Sequence, residues 1–160
     1  MKKRVELSSY CFVVSALTIA LLCGVFVYVL KQADHIWSAI VLGMVIIVLC
    51  LSTLFYMPLS ISVDNKNLNI NRSWRIKSIP IVDIAEVKLC QPTMGAIRIC
   101  GSGGFFGWYG WFREGDTGKY FAYYGKSSDC FLVTLKDGRK YMLGCTDAPA
   151  MVAKIQSLLR

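Results

Sequence analysis

The glycine-rich stretch at residues 101–107 is the part of the sequence whose residue types come nearest to a ligand-binding motif. Its sequence is Gly-Ser-Gly-Gly-Phe-Phe-Gly, and glycine-rich loops bind phosphate groups through their backbone N–H groups. A phosphate loop of this kind ends in Gly-Lys-Ser or Gly-Lys-Thr and opens a helix. Here the chain continues instead through aromatic residues, from Trp108 to Phe112. The pattern therefore argues against nucleotide binding.

Side chains of the kinds used in acid–base or nucleophilic catalysis are few. The sequence contains one histidine, His35, which lies between two apolar runs, so a Ser-His-Asp or Cys-His arrangement is not expected in the rest of the chain. Glu114 and Asp116 form a carboxylate pair in a predicted turn, where we expect both to be solvated. The sequence therefore predicts a protein that is not an enzyme. A pocket lined by Glu114 or Asp116 with a second polar group would favour an enzyme or an enzyme accessory subunit instead.

Cysteine is the other residue type that could bind a metal. The chain has seven cysteines, of which three lie inside the apolar runs and four lie further along, at Cys90, Cys100, Cys130 and Cys145. Zinc sites usually contain closely spaced ligand pairs, and the sequence has no Cys-x-x-Cys pair. In a reducing cytoplasm such cysteines most often behave as small buried apolar residues. We therefore expect neither a metal nor another cofactor.

Two apolar runs dominate the first part of the chain. Residues 11–30 and 36–56 contain no charged side chain, and at about 1.5 Å per residue each run is long enough as a helix to cross a hydrocarbon core of about 30 Å. The first run is too long for a signal peptide and lacks an Ala-x-Ala cleavage site. The sequence therefore predicts two transmembrane helices within residues 10–57, joined by a short external loop at residues 31–35.

The distribution of basic residues predicts the orientation of these helices. Lys2, Lys3 and Arg4 precede the first run within a basic flank at residues 1–9, and further cations follow the second run, whereas the loop contributes only Lys31. By the positive-inside rule both termini lie in the cytoplasm, and residues 58–160 form a cytoplasmic domain at the bacterial inner membrane. The net charge of +8 therefore fits a domain beside anionic lipid, and we do not expect nucleic acid as a partner.

Small residues at helical spacing suggest how the two helices could pack. These candidate contact residues are Ala16, Ala20, Gly24, Ala39 and Gly43. Small side chains allow the backbones of membrane helices to approach closely, but they are also common in membrane helices for other reasons, and the sequence does not separate these two interpretations. Neither run contains Asp, Glu, Lys, Arg or His, which argues against a transporter or a proton relay.

Beyond Pro58 the apolar pattern changes to a period of two, which is typical of strands. Ile61 and Val63 alternate with serines, and Leu68 and Ile70 alternate with asparagines on the other side of a turn. Further alternation predicts six or seven short antiparallel strands in all. A C-terminal helix follows, with one apolar face formed by Met151, Val152, Ile155, Leu158 and Leu159. Such a helix could close one end of a bent sheet or a small barrel.

Residues 59–160 resemble the bacterial pleckstrin-homology-like (PH) domains. The resemblance depends on the glycine–aromatic segment at residues 101–112, the Tyr-Phe-Ala-Tyr-Tyr strand, the Lys-Asp-Gly hairpin, and the terminal Asp-Ala-Pro helix. It implies a mainly-β PH-like barrel or bent two-sheet sandwich with a C-terminal capping helix. Together with the apolar runs, this gives a fold of an N-terminal α-helical transmembrane hairpin followed by a PH-like domain. The resemblance implies no conserved enzymatic chemistry.

The expected function is that of a membrane-tethered, non-catalytic binding or scaffolding module. Its partners would be the lipid bilayer and a protein, or a second copy of the chain. Trp108, Tyr109 and Trp111 are candidate contacts to a partner or to the membrane interface, although most rings of the segment could instead fill the barrel. The alternative function is recognition of anionic lipid headgroups by the basic early strands. Its candidate contacts are Lys66, Arg72, Arg75 and Lys77.

Overall fold

The fold consists of two long N-terminal helices followed by two β-sheets and a C-terminal helix. We describe it from a computed structural model that covers residues 1–31, 36–93 and 95–159. The helices are α1 (Ser9–Lys31), α2 (Ile36–Tyr56) and α3 (Ala148–Leu159). The strands are β1 (Lys2–Arg4), β2 (Pro58–Val63), β3 (Asn67–Arg72), β4 (Ile76–Pro80), β5 (Ile84–Leu89), β6 (Ile97–Gly104), β7 (Gly107–Glu114), β8 (Gly118–Tyr124), β9 (Cys130–Leu135) and β10 (Lys140–Gly144). Apart from Lys31, the expected external loop, with His35, lies outside the described residues.

Helices α1 and α2 coincide with the two apolar runs and are long and apolar enough to cross a membrane. At about 1.5 Å per residue they measure about 34 and 31 Å, against about 30 Å for a hydrocarbon core. Large apolar side chains are exposed around both helices, for example Phe12, Leu21, Val41 and Met44. A helix that is apolar on all sides needs apolar surroundings, which favours lipid around these two helices.

The small residues of α1 lie on a different face of the helix from the one that packs against the protein. Ala16, Ala20 and Gly24 are exposed, and within the described residues no side chain and no other segment lies within 4 Å of the position that a Cβ on Gly24 would take. The predicted role of these three residues in helix packing is therefore wrong for α1. The reason is that two neighbouring positions, Cys11 and Ser15, are buried by contacts with the sheets and fix the rotation of the helix.

The small residues of α2 do lie where the helices are close together. Ala39 is buried, and Gly43 is half-buried with the ring of Phe26 only 3.6 Å from the position of a Cβ on that glycine. On α1 the half-buried residues Leu22, Phe26 and Val29 have the alternating spacing of four and three that two packed helices require. Of the two faces of small residues selected from the sequence, the one on α2 therefore lies at the contact between the helices.

The strands form a two-sheet sandwich, which confirms the predicted fold. The first sheet has the order β1-β2-β3-β4, and the second has the order β5-β9-β10-β8-β7-β6. Three details differ from the sequence-based expectation, and the first is that the described residues form ten strands rather than six or seven. Residues Lys2–Arg4, expected only as a basic flank, pair with β2 as an edge strand, and β8 pairs with β10 in parallel rather than antiparallel orientation. The parallel pair arises because the β9–β10 hairpin inserts with β10 beside β8.

The main core lies between the two sheets and beneath α3. Ile61 and Ile70 from the first sheet meet Val133 and Leu143 from the second, and all four are almost completely buried. Helix α3 closes one end of this core with the apolar face predicted from the sequence, through Met151, Val152 and Ile155. A smaller cluster lies on the other face of the second sheet, where Phe112, Tyr120, Tyr124, Leu132 and Met142 are buried together.

Candidate functional site at the helix–sheet junction

The glycine–aromatic segment forms the β6–β7 hairpin, with Phe105 and Phe106 as its two-residue tip. Gly101 and Gly110 lie opposite each other in the two strands with φ angles of 132° and 120°. A Cβ on Gly110 would lie 2.2 Å from the carbonyl oxygen of Cys100, and a Cβ on Gly101 would lie 2.1 Å from that of Tyr109. Neither position has room for a side chain. These glycines therefore allow the two backbones to approach closely in an otherwise aromatic hairpin.

The tip of the β6–β7 hairpin docks on the first turns of α1. The backbone N–H of Phe106 donates a hydrogen bond of 2.8 Å to Ser15 Oγ, and Ser15 Oγ donates to the carbonyl oxygen of Cys11 at 2.6 Å. Phe106 has a φ angle of 53°, a backbone conformation that residues other than glycine rarely adopt. Ser15 is 5% exposed, so this buried hydroxyl uses both its donor and one acceptor site to hold the tip.

Tyr109 is in contact with α2. It is 6% exposed, its ring stacks on that of Tyr56 with centroids 6.0 Å apart, and its hydroxyl lies 3.5 Å from Thr53 Oγ1. A contact between Tyr109 and a partner would require its side chain to face outward, but the side chain is buried against α2. The alternation of β7 directs it toward the helices and the main core. Sequence periodicity alone could not show that α2 would cover this face.

Trp108 and Trp111 are half-buried on opposite faces of β7. Trp108 stacks on Tyr124 with centroids 5.8 Å apart. Trp111 packs edge-on against Phe121 at 5.1 Å, and Lys119 Nζ lies 4.6 Å from its ring centroid. Both rings fill space within the sheet and retain some exposed surface.

A cleft of about 640 Å³ separates the N-terminal half of α1 and the C-terminal half of α2 from strands β6–β8, and we call it the junction cleft. The helix side is formed by Thr18, Leu49, Ser52 and Tyr56. The sheet side includes Arg98, Cys100, Phe105, Tyr109, Trp111 and Phe121. Most of this lining is apolar, and Arg98 is the charged residue among the described residues that line it. Reasoning from sequence missed Arg98, since a lone arginine in an edge strand gives no motif.

The four basic residues proposed from the sequence do not form one cluster. Lys66 lies just before the start of β3 and Arg72 lies at its end, so these two cations are at opposite ends of that strand. Lys66 and Arg75 are exposed in separate turns. Arg72 and Lys77 are half-buried and face the second sheet. The four cations are therefore spread over the first sheet, because β3 and β4 direct Arg72 and Lys77 inward while the other two remain exposed.

Arg72 and Lys77 contact tyrosine rings between the sheets. The Arg72 guanidinium carbon lies 6.0 Å from the ring centroid of Tyr56 and 5.7 Å from that of Tyr123. Lys77 Nζ donates a hydrogen bond of 3.0 Å to the hydroxyl of Tyr141. Burial raises the pKa of Tyr123 above its ordinary value, and the positive charge of Arg72 opposes part of that rise. These cations are held by aromatic rings rather than presented freely to solvent.

Trp74 is a surface feature that the sequence analysis did not select. It lies in the β3–β4 turn between Arg72 and Ile76, is 68% exposed, and packs edge-on against Phe55 at the end of α2 with centroids 5.3 Å apart. A tryptophan in a turn beside cations is typical of a residue at a membrane interface. The Ser-Trp-Arg sequence of this turn could have indicated it.

Strand β6 forms one edge of the second sheet. Its neighbour is β7, and within the described part of the chain no strand pairs with its outer side. Ile97 and Ile99 on this edge are 69% and 53% exposed. An unpaired edge with exposed aliphatic side chains is a template for pairing with another chain.

The carboxylate pair behaves differently from the expectation. Asp116 is exposed in its turn as expected, but Glu114 is 5% exposed and accepts a hydrogen bond from the backbone N–H of Thr93. Strand β7 extends as far as Glu114 and directs it to the same face as the buried Phe112. Burial, together with the nearby Glu114, raises the pKa of Tyr120 above its ordinary value. Glu114 is not part of the lining of the junction cleft, which lies between α1, α2 and strands β6–β8.

The cysteines form no metal-binding group within the described residues, and Cys130 and Cys145 are buried thiols. No group of three or more His, Cys, Asp or Glu side chains there is close enough to hold a metal ion. Burial raises the pKa of the Cys145 thiol to about 12, with a further contribution from Asp147, and burial also raises the pKa of Cys130. Both thiols are therefore neutral and weakly nucleophilic near pH 7.

Comparison with known proteins identifies the β-rich part of the chain. A family model described as bacterial PH domain matches residues 59–159, which is more than half of the chain and runs from β2 to the end of α3. Comparisons with curated proteins and with solved structures give no match. The two-sheet sandwich with its C-terminal helix agrees with this match, which confirms the resemblance inferred from the sequence. The chain therefore belongs to the bacterial PH domain family.

Proposed function

We propose that this protein is a membrane-tethered, non-catalytic binding module that recruits a protein partner at the cytoplasmic surface of the bacterial inner membrane. The exposed edge of β6 is the observation that carries the proposal, because Ile97 and Ile99 offer an apolar, unpaired strand beside the helix–sheet junction. Membership of the PH domain family supports a binding role. The buried positions of Glu114 and of the thiols of Cys130 and Cys145 support the absence of catalysis.

The mechanism would be strand addition at a fixed position at the membrane surface. Helices α1 and α2 anchor the domain, and the Phe106–Ser15 hydrogen bond holds the β6–β7 hairpin against α1. An extended segment of the partner then pairs with the outer side of β6 through backbone hydrogen bonds, and its alternate side chains contact Ile97 and Ile99. A second copy of the chain could supply this segment in the same way.

The orientation is part of the proposal. The basic residues at each inner helix end support a cytoplasmic location for both termini. A reporter that is active only in the cytoplasm should be active when it is fused to the C-terminal end, and a reporter that is active only in the periplasm should be inactive there. Activity of a periplasmic reporter at that end would overturn the orientation.

Site-specific photocrosslinking in native membranes tests the partner surface. A photoreactive residue at Ile99 should give a discrete protein adduct, and the same residue at Val82 should not. Val82 is a matched control because it is also aliphatic and is 73% exposed, but it lies next to β5 rather than β6. Introducing proline at Ile99 should abolish an adduct formed from a photoreactive residue at Ile97, because proline cannot pair in a strand. Equal adducts at positions 82 and 99 would contradict strand addition at β6.

A second candidate function is attraction of the domain to anionic lipid headgroups. The contact of Trp74 with Phe55 favours it, because it puts the β3–β4 turn with Arg75 next to the inner end of α2. In nanodiscs, hydrogen exchange of residues 73–76 should slow when anionic lipid replaces part of a zwitterionic bilayer. Arg75→Glu should abolish this effect, whereas Lys136→Glu, a distant exposed cation, should not. No dependence on lipid charge would exclude this function.

A further inference from the structure

We propose that the junction cleft binds one anionic phospholipid from the bilayer leaflet that contacts the inner helix ends. This site shares strand β6 with the proposed partner surface, because Arg98 and Cys100 line the cleft, but it is separate from the β3–β4 turn. It rests on the proposed membrane span of α1 and α2. Its volume of about 640 Å³ lies within the range of about 300–1,000 Å³ that is typical of ligand sites.

The position of the cleft along the helices places it at the boundary between lipid chains and headgroups. Thr18 and Leu49, both in its lining, are each about 20 Å from the loop end of their helix at about 1.5 Å per residue. Tyr56, also in the lining, is about 30 Å from that end, which equals the thickness of a typical hydrocarbon core. The cleft therefore extends from the headgroup level into the chain region of the leaflet.

The walls of the deeper part suit a hydrocarbon chain. Leu49, Phe105 and Trp111 contribute apolar surface. The hydroxyls of Thr18 and Ser52 donate hydrogen bonds to backbone carbonyl groups of their own helices, those of Val14 and Leu49. Because these polar groups are already paired, they require no partner from the ligand.

The charges around the cleft suit a phosphate group. Arg98 lines the cleft, and none of the described residues in the lining is acidic. Its side chain runs along β6, so that Nη1 lies 3.0 Å from the position of a Cβ on Gly103, and within the described residues it makes no hydrogen bond or ion pair. Arg72 and Lys119 lie over Tyr56 and Trp111, two rings of the lining, and add positive charge. An anionic headgroup beside Arg98 would complement this charge.

The test uses the full chain in nanodiscs that contain phosphatidylcholine and a smaller share of phosphatidylglycerol. One lipid carries a photoreactive group on its acyl chain, and labelled peptides are mapped by mass spectrometry. Photoreactive phosphatidylglycerol should label peptides of the junction cleft, and an excess of unlabelled phosphatidylglycerol should compete. Ser52→Phe should fill the cleft and remove this labelling. Cys50→Phe, on the exposed side of the same helix, should leave it unchanged.

The role of the positive charge on Arg98 is tested with a substitution that does not fill the cleft. Arg98→Gln should reduce the preference for phosphatidylglycerol over phosphatidylcholine about fivefold, since one cation near an anionic headgroup contributes on that scale. Lys136→Gln, an exposed cation elsewhere, should leave the preference unchanged. Circular dichroism of each variant verifies that the domain remains folded.

Three results would overturn the lipid site. Labelling spread evenly around α1 and α2 would mean ordinary boundary lipid, and equal labelling in the two phenylalanine variants would mean that the cleft is not the site. A change of oligomeric state with Ser52→Phe, without a change in labelling, would assign the cleft to a contact between copies. Failure of the chain to enter nanodiscs at all would instead overturn the proposed membrane tether.

Discussion

The β2–β3 hairpin buries one row of aliphatic side chains against the opposite sheet, whereas the β6–β7 hairpin carries aromatic side chains on both of its faces. In the first, Leu68 and Ile70 are fully buried and the intervening asparagines face outward. In the second, Tyr109 packs against α2 while Trp108 packs on the opposite face. One hairpin belongs to an ordinary sandwich core, and the other is held between the sheet and two helices.

This difference separates two sources of stability within one domain. The β2–β3 hairpin depends on packing between sheets and should respond to changes in the core. The β6–β7 hairpin depends on close backbone approach and on contacts with α1 and α2, so changes at those contacts should act on it alone. Hydrogen exchange of the full chain in nanodiscs reports both hairpins in one measurement.

Gly110→Val should have the largest effect. A Cβ at this position would lie 2.2 Å from the carbonyl oxygen of Cys100, at a φ angle of 120° that valine does not adopt. We expect the β6–β7 pairing to be lost, with a cost above about 4 kcal/mol, in the range of exceptional single substitutions. Exchange should become fast in β6 and β7. Gly115→Val is the control, because the described residues leave open space around that glycine, and it should change stability by less than about 1 kcal/mol.

Ile70→Ala should destabilise the main core by about 2–5 kcal/mol, because it removes a fully buried aliphatic side chain. Exchange in the β2–β3 hairpin and in the strands opposite should rise together, and thermal unfolding in detergent should shift downward. Val82→Ala, at an exposed aliphatic position, should cause little change. A loss of protection confined to β6 and β7 would contradict the division into two sources of stability.

Ser15→Ala should act on the tip of the β6–β7 hairpin. The backbone N–H of Phe106 loses its acceptor in a partly buried site, at a cost of about 1–3 kcal/mol. Exchange of the Phe106 amide should rise while the β2–β3 hairpin is unaffected. Ser15→Thr keeps the hydroxyl and should restore protection. Ser52→Ala is a second control, since Ser52 Oγ donates only within its own helix. An equal increase of amide hydrogen exchange in both hairpins of the Ser15→Ala variant would show that the hairpins unfold as one unit.

The smallest effect should come from acidification at the Lys3–Asp147 ion pair, which joins β1 to the start of α3. Its N···O distance is 2.8 Å, and the hydrogen bond from Lys3 lowers the pKa of Asp147 below its ordinary value. The stabilisation is therefore fully present above the ordinary carboxyl pKa and is lost as pH falls through the lowered value. Asp147→Asn should remove this pH dependence near β1, without changing exchange in β6 and β7. A pH response in the β6–β7 hairpin that Asp147→Asn also removes would contradict this localisation.

The elements that follow from local pattern could be predicted from the sequence. The second apolar run has the same bounds as α2, and the apolar face of α3 is buried through Met151 and Ile155. The alternation at Leu68 and Ile70 gave the β2–β3 hairpin. In each case the residues that determine the element are neighbours in the chain.

Features that depend on distant pairing could not be predicted. Three residues of β1 carry no apolar pattern and become a strand only because β2 lies beside them. The parallel β8–β10 pair depends on where the β9–β10 hairpin inserts. Glu114 resembled a solvated turn residue because its burial depends on the loop that contains Thr93. Arg98 became a candidate only when the helices defined the other side of the cleft.

The pairing of β1 with β2 has a consequence for how the protein is made. Strand β1 precedes α1 in the chain, and its neighbour β2 follows α2. The first sheet therefore cannot be completed until both helices have been synthesised. If α1 and α2 span the membrane as proposed, insertion of one helix alone would leave β1 and β2 in different compartments and prevent this pairing, and completion of the first sheet would depend on insertion of both.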